Sequence, residues 1–171
     1  MKKIWHFIFY GFYKLDYAIH LFTNKINPIV HLYKTERASN YFKKKGRSPI
    51  KDLNDVYENR TYGFSVLISQ FIMHILLFAI LIGIFNFTLI IFNLYVEVEP
   101  YMFMSILGFS IFLNLFLLLR EKDYLRSFVK FDDYKKNNKR IFYLLSFLSV
   151  IVLFYISYLS FKYGSKHHSL K

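Results

Sequence analysis

Three long stretches of this chain carry no charged side chain. Of the 171 residues, no Asp, Glu, Lys or Arg occurs in 64–96 (33 residues), 101–119 (19 residues) or 141–161 (21 residues). A helix needs about 20 mainly apolar residues to cross the ~30 Å hydrocarbon core of a bilayer. A helix on the surface of a soluble domain would instead show a polar side with a period of about 3.6 residues. The stretches therefore predict an all-α, polytopic integral membrane protein with three transmembrane helices.

The first stretch is longer than one perpendicular crossing requires. Fully helical, residues 64–96 would extend for about 50 Å. We expect one tilted or protruding helix, since two crossings of roughly 16 residues each would be short and would lack a polar turn between them. The two-crossing alternative stays open. The three prolines agree with the proposed limits, because Pro28, Pro49 and Pro100 all lie outside the uncharged stretches.

The basic residues predict the orientation in the membrane. Twelve Lys and Arg residues lie in 1–63, none in 97–100, eight in 120–140 and three in 162–171. Loops rich in Lys and Arg stay on the cytoplasmic side. Three crossings therefore give a cytoplasmic N-terminus, a cytoplasmic 120–140 loop and a short external tail, in the inner (plasma) membrane of a cell. The abundance of Lys, Ile, Phe, Tyr and Asn is typical of AT-rich genomes and favours a bacterial or phage origin.

The first 63 residues form a basic segment that begins with an amphipathic helix. On a helical wheel, most apolar side chains of residues 4–22 fall on one half, and Lys, His and Tyr fall on the other. Such a helix is expected to lie in the headgroup region, where aromatic rings favour the boundary and lysines meet anionic lipid headgroups. The interfacial residues are predicted to be Trp5, Phe12, Lys2, Lys3 and Lys14. In the alternative interpretation, the apolar side packs onto the protein's own spans or onto a partner.

Polar residues inside the spans are few. Gln70, His74 and Asn114 are the intramembrane polar candidates, and His74 is the one ionisable side chain in the three stretches. A proton relay would need an acidic or second histidine partner at depth, and the stretches contain none. We expect a neutral His74 hydrogen-bonded to another helix. Asn114 falls on a different side of its helix and is expected to meet another subunit.

Small and hydroxylated residues form stripes that predict helix–helix contacts, because helices in lipid associate where small side chains let backbones approach. The stripes on the first and third spans are the main candidates, and two residues of the second span are expected to join them. The helix-packing candidates are Ser65, Ser69, Gly83, Asn86, Ser105, Gly108, Ser146, Ser149, Ser157 and Ser160.

Motifs for chemistry are missing from the sequence. There is no cysteine, which excludes thiol catalysis and thiolate metal sites, and no phosphate-binding loop, zincin helix or nucleophile elbow occurs. We therefore predict no catalytic residue, no metal site and no cofactor, and not an enzyme. The basic cluster at 43–47 is interpreted as a topology signal, so no nucleic-acid partner is expected.

These features favour a non-catalytic membrane protein that acts by contact, as an accessory or scaffold subunit of a larger assembly. Its expected partners are the lipid bilayer with its anionic headgroups and other membrane protein subunits or further copies of itself. Two alternatives are an oligomeric channel or transporter component and a membrane-active effector or immunity-type protein.

Overall fold

The computed structural model describes residues 2–92, 94, 99–119, 123–133 and 136–169, and every regular element in these ranges is an α-helix. This confirms the predicted all-α class. The helices are α1 (Lys2–Ile26), α2 (Pro28–Tyr33), α3 (Glu36–Lys44), α4 (Pro49–Glu58), α5 (Phe64–Ile91), α6 (Pro100–Leu119), α7 (Asp123–Asp132) and α8 (Lys136–Ser169).

Local sequence explains where the first helices end. Asn27 separates α1 from α2, and its side chain accepts a hydrogen bond from the backbone N–H of Ile29 (2.9 Å) with Pro28 in the first helical turn. Both features are typical of a helix start. After α3, Gly46 adopts a left-handed conformation (φ +64°), which glycine tolerates at little cost and which commonly terminates a helix.

A tight turn joins α4 to α5. The Asn59 side chain accepts hydrogen bonds from the backbone N–H groups of Thr61 (2.9 Å) and Tyr62 (3.1 Å). Gly63 then precedes α5 so closely that a Cβ there would lie 2.2 Å from the Asn59 carbonyl oxygen and 2.7 Å from that of Val56. Only glycine fits this position without moving the backbone.

Two helices, α5 and α6, are long and apolar enough to cross a membrane. α5 continues without a break for 28 residues through most of the first uncharged stretch. In α8 the apolar part, Tyr143–Leu159, is shorter. The predicted external link 97–100, cytoplasmic loop 120–140 and tail 162–171 each include residues outside the described ranges.

Both apolar helices expose large apolar side chains and bury some small or polar ones. On α5, Ser65 and Ser69 are fully buried, whereas Phe71 is 65% exposed. On α6, Asn114 is fully buried, whereas Phe112 is 66% exposed. A protein folded in water exposes few large apolar patches. The exposed apolar side chains agree with the length and apolar composition that would let α5 and α6 cross a membrane.

α5 lies at the centre of the molecule and packs against α1, α4, α6 and α8. A cluster of aromatic rings fills the space between α1 and α7. The Phe128 ring lies 5.1 Å from the ring centroids of both Tyr10 and Tyr13 and 5.4–5.5 Å from those of Phe9 and Tyr124. These distances are favourable for aromatic pairs, so the cluster fixes α1 against α7.

Candidate functional site

The inward side of α1 is lined by polar and aromatic side chains at alternating spacings of four and three residues. Each of them hydrogen-bonds a residue outside α1. The spacing places them in one stripe along the helix. We call this stripe the polar seam; its members are His6, Tyr10, Tyr13, Tyr17, His20 and Asn24.

The sequence-based wheel identified the polar side of α1 but not its burial. His6, Tyr10 and Tyr13 are buried, whereas the apolar Ile4 and Phe22 are 66% and 64% exposed. The heptad-like spacing of the seam residues was the sequence signal that would have indicated the burial of this polar side. α1 therefore packs on its own chain, as in the alternative interpretation, but it does so through much of its polar side together with part of its apolar side.

The predicted interfacial residues differ in how much of each side chain is buried and in what it contacts. Phe12 is only 6% exposed and belongs to the core, because its position on α1 lies beside the seam. The indole of Trp5 is half-buried and hydrogen-bonded inside the protein. Lys2 and Lys14 form ion pairs with α7, whereas Lys3 is exposed.

Near the middle of the seam, three side chains form hydrogen bonds or ion pairs with the carboxylate of Asp132. The Tyr10 hydroxyl donates to Oδ1 (2.7 Å), Lys14 Nζ lies 3.1 Å from the same oxygen, and the Arg60 guanidinium donates to Oδ2. Lys14 also lies over the rings of Tyr10 and Tyr13, 5.6 and 5.5 Å from their centroids, within the range of a cation–π contact. We call these side chains the Asp132 cluster.

The surroundings of the Asp132 cluster change the pKa values of its members. Burial alone would raise the pKa of Asp132, but hydrogen bonds from Tyr10 and Lys14 and the charges of Lys14 and Arg60 lower it below the ordinary value. Burial and the neighbouring Asp132 carboxylate raise the pKa of Tyr10, and burial raises the pKa of Tyr13 to about 12. The cluster therefore combines one carboxylate with two cations and neutral phenols at neutral pH.

A second polar contact links α1, α6 and α5. The indole N–H of Trp5 donates to Oδ1 of Asn114 (2.8 Å), and Nδ2 of Asn114 donates to Nδ1 of His74 (3.0 Å). An indole N–H can only donate, so it fixes the amide orientation and makes His74 Nδ1 an acceptor. Asn114 is fully buried and does not face another subunit as expected, because α1 covers it.

Next to Asn114, the buried His6 ties α1 to the end of α6 and to α7. Its Nε2 donates to the Leu117 carbonyl (3.1 Å), and its Nδ1 lies 2.9 Å from the Ser127 hydroxyl. Burial lowers the pKa of His6, although the bond to Leu117 opposes this effect. Nearby, Lys2 Nζ lies 2.5 Å from Asp123, and this hydrogen bond lowers the pKa of that carboxyl.

The packing candidates meet in part. Gly83 is buried where α5 approaches α8, and a Cβ there would lie 3.8 Å from Ile156 Cγ2. One turn before Gly83 on α5, the Ala79 carbonyl accepts a hydrogen bond from the Ser157 hydroxyl of α8 (3.3 Å). The first and third stripes thus supply residues to the α5–α8 contact.

The remaining candidates lie in different surroundings. Ser65 and Ser69 are buried on the inward side of α5, whereas Gln70, Asn86 and Ser149 are half-buried. On α6, Ser105 and Gly108 are exposed, and the Ser105 hydroxyl donates to its own helix at Tyr101 (2.9 Å). The side chains of Ser146 and Ser160 lie outside the described part of the structure.

Chemically, this arrangement is suited to holding helices together. In the Asp132 cluster, Lys14 and Arg60 compensate the charge of the carboxylate, and the tyrosine hydroxyls of the seam each donate to an oxygen acceptor. Within the described residues, no group of three or more His, Asp or Glu side chains has the geometry to hold a metal ion.

Comparisons with protein-family models, curated proteins and solved structures give no match to this chain.

Proposed function

We propose that this protein is a non-catalytic accessory or scaffold subunit of a membrane protein assembly. In this proposal the chain crosses the inner membrane three times, through α5, α6 and the apolar part of α8. Its N-terminus is cytoplasmic and its C-terminus external. The distribution of Lys and Arg supports this orientation, and the apolar outer surfaces of α5 and α6 support the membrane location.

The observation that carries the proposal is the exposed small-residue position on α6. A Cβ added at Gly108 would meet no atom within 4 Å, and Ser105 is exposed three residues earlier. Large exposed side chains flank them, with Phe109 53% and Met104 67% exposed. A helix surface with a small residue between large ones lets the backbone of a second transmembrane helix approach closely.

Two of the polar residues available for an oligomeric channel, His74 and Asn114, are already bonded inside the chain. A pore lined by His74 or Asn114 would first have to break the contact of Asn114 with Trp5 (2.8 Å) and with His74 (3.0 Å). The accessory role uses the outer surface of α6 and requires none of these hydrogen bonds to break. We prefer the accessory role for that reason.

Affinity purification of the full chain from its native membrane in a mild detergent tests the proposal. We expect a partner membrane protein to co-purify with the wild type and to be lost with Gly108→Leu, because the larger side chain blocks the approach of the second helix. Ile75→Phe, on the exposed side of α5, is the matched control and should keep the partner. Recovery of the wild type as a free monomer would contradict the proposal.

A further inference from the structure

A groove of about 580 Å³ opens where α1, α7 and α8 meet. Its volume is within the roughly 300–1,000 Å³ that small-molecule sites occupy. Lys3 on α1 and Lys130 on α7 line it together with the Ser127 side chain. The rest of its wall is apolar and includes Phe7, Phe131 and Leu145.

The two lysines of the groove are free to bind an anion. Both are exposed, and among the described residues neither has an acidic partner. Lys2, the immediate neighbour of Lys3, is by contrast paired with Asp123 at 2.5 Å. The groove therefore carries two positive charges that the described part of the chain does not compensate.

The apolar wall of the groove is built from side chains of three helices. The rings of Phe7 and Phe131 pack edge to face with their centroids 5.9 Å apart, which joins α1 to α7. Leu145 belongs to α8, close to the start of its apolar part at Tyr143. An inorganic anion would gain nothing from this wall, whereas a hydrocarbon chain would bury apolar surface against it.

The groove lies near the end of α6 and the start of the apolar part of α8, where a membrane crossed by these two helices would end. α7 begins shortly after α6 ends at Leu119, and α8 becomes apolar at Tyr143. At this level a lipid headgroup would lie beside the lysines and its acyl chain beside the phenylalanines. Basic pockets between helices at the membrane surface are typical sites for anionic lipids.

We propose that this groove is a binding site for one anionic phospholipid, with the phosphate held by Lys3 and Lys130 and an acyl chain against Phe7, Phe131 and Leu145. The site shares with the proposed function only the membrane location, since it lies on other helices than Gly108.

Native mass spectrometry of the full chain in detergent micelles, titrated with dioleoyl-phosphatidylglycerol or dioleoyl-phosphatidylcholine, tests the site. We expect the wild type to prefer the anionic lipid and the double variant Lys3→Ala/Lys130→Ala to bind it roughly 10- to 30-fold more weakly. Lys3→Arg/Lys130→Arg should keep the preference. Lys25→Ala/Lys51→Ala removes two other exposed lysines and is the matched control, which should bind as the wild type does.

Three results would overturn the proposal. The first is a wild type without preference between the two lipids. The second is an equal loss of binding in the Lys3/Lys130 and Lys25/Lys51 variants, which would indicate general surface charge. The third is displacement of the lipid by millimolar inorganic phosphate. That result would show that the site recognises a phosphate group alone and gains nothing from the acyl chain. Gly108→Leu should leave lipid binding unchanged, so the failure of this site and the failure of the accessory role are distinguishable.

Discussion

At the residue scale, Asp132 connects parts of the chain that are far apart in sequence. Tyr10 and Lys14 approach it from α1 and Arg60 from the turn before α5. The Asp132 side chain is 24% exposed and those of Lys14 and Arg60 are 21% and 33% exposed, so water screens these pairs only in part. Removing the carboxylate charge would leave two cations close together without compensation.

We predict that Asp132→Asn lowers the free energy of unfolding by about 2 kcal/mol, the scale of a hydrogen bond to a charged group. The loss is smaller than for a fully buried pair because all three charged groups keep some contact with water. Unfolding by sodium dodecyl sulfate in mixed micelles measures it. Asp133→Asn, at the exposed neighbouring position, should change little. Equal effects of the two substitutions would contradict the role of the Asp132 cluster.

The lowered pKa of Asp132 also predicts a dependence of stability on pH. Its native pKa lies below the unfolded one. Its contribution is therefore complete above the unfolded value of about 3.9 and is lost as the pH falls through the lower native value. We expect the midpoint of thermal unfolding in detergent to fall less steeply with acid in Asp132→Asn than in the wild type. Parallel acid profiles of the two proteins would show that Asp132 does not titrate in this way.

Asn114 gives a prediction with an internal reporter, because Trp5 is the one tryptophan of the chain. Asn114→Leu removes the acceptor of its indole N–H and places an apolar side chain there. We expect Trp5 fluorescence to shift to shorter wavelength and the stability to fall by about 1 kcal/mol, as for other hydrogen bonds between membrane helices. Phe112→Leu, on the exposed side of α6, should leave the emission unchanged.

At the scale of elements, the turn before α5 sets the position of Arg60 and the start of the longest apolar span. Gly63→Ala would place a Cβ 2.2 Å from the Asn59 carbonyl oxygen, so the backbone of the turn must move. We predict a loss of about 2 kcal/mol, the usual scale of overpacking, measured by unfolding in mixed micelles. Gly108→Ala is the matched control, since a Cβ there meets nothing within 4 Å and should be tolerated.

The helices themselves were largely predictable from the sequence, because their limits depend on local features. The absence of charged residues identified α5 and α6. Pro28 and Pro49 are the first residues of α2 and α4, and Gly63 directly precedes α5. The sequence predicts three transmembrane helices, whereas two helices of the described structure are long and apolar enough to cross a membrane.

The orientation of α1 was not predictable in the same way. A helical wheel separates apolar from polar sides, but it does not show which of the two sides is buried. The partners of α1 are also distant in sequence: Asp132 lies 122 residues from Tyr10, and Asn114 lies 109 residues from Trp5. No local pattern contains this information.

At the scale of the whole molecule, the ion pairs restrict the topology. Lys2 pairs with Asp123 and Arg60 with Asp132, so the segments before α5 and after α6 lie on one side of any membrane that α5 and α6 cross. One crossing by each helix satisfies this condition. The two-crossing alternative for residues 64–96 would place Arg60 and Asp132 on opposite sides.

Single-cysteine labelling of sealed membrane vesicles that contain the protein checks this topology, and the chain needs no prior removal of native cysteines. We predict that Lys51→Cys and Lys130→Cys react with a membrane-impermeant maleimide from the same side, and that Glu99→Cys reacts only from the opposite side. Opposite sidedness of positions 51 and 130 would contradict the arrangement. A detergent-permeabilised sample, in which all three react, is the control.

The contact between Arg60 and Asp132 has a consequence for biosynthesis. Ribosomes make the arginine about seventy residues before its acceptor, and the whole hairpin of α5 and α6 is synthesised in between. If each helix crosses once, the bond can close only after the second one has returned through the bilayer. The pair would then act as a latch on the finished hairpin, and a nascent polypeptide stalled before position 132 would remain open to protease at its amino-terminal helix.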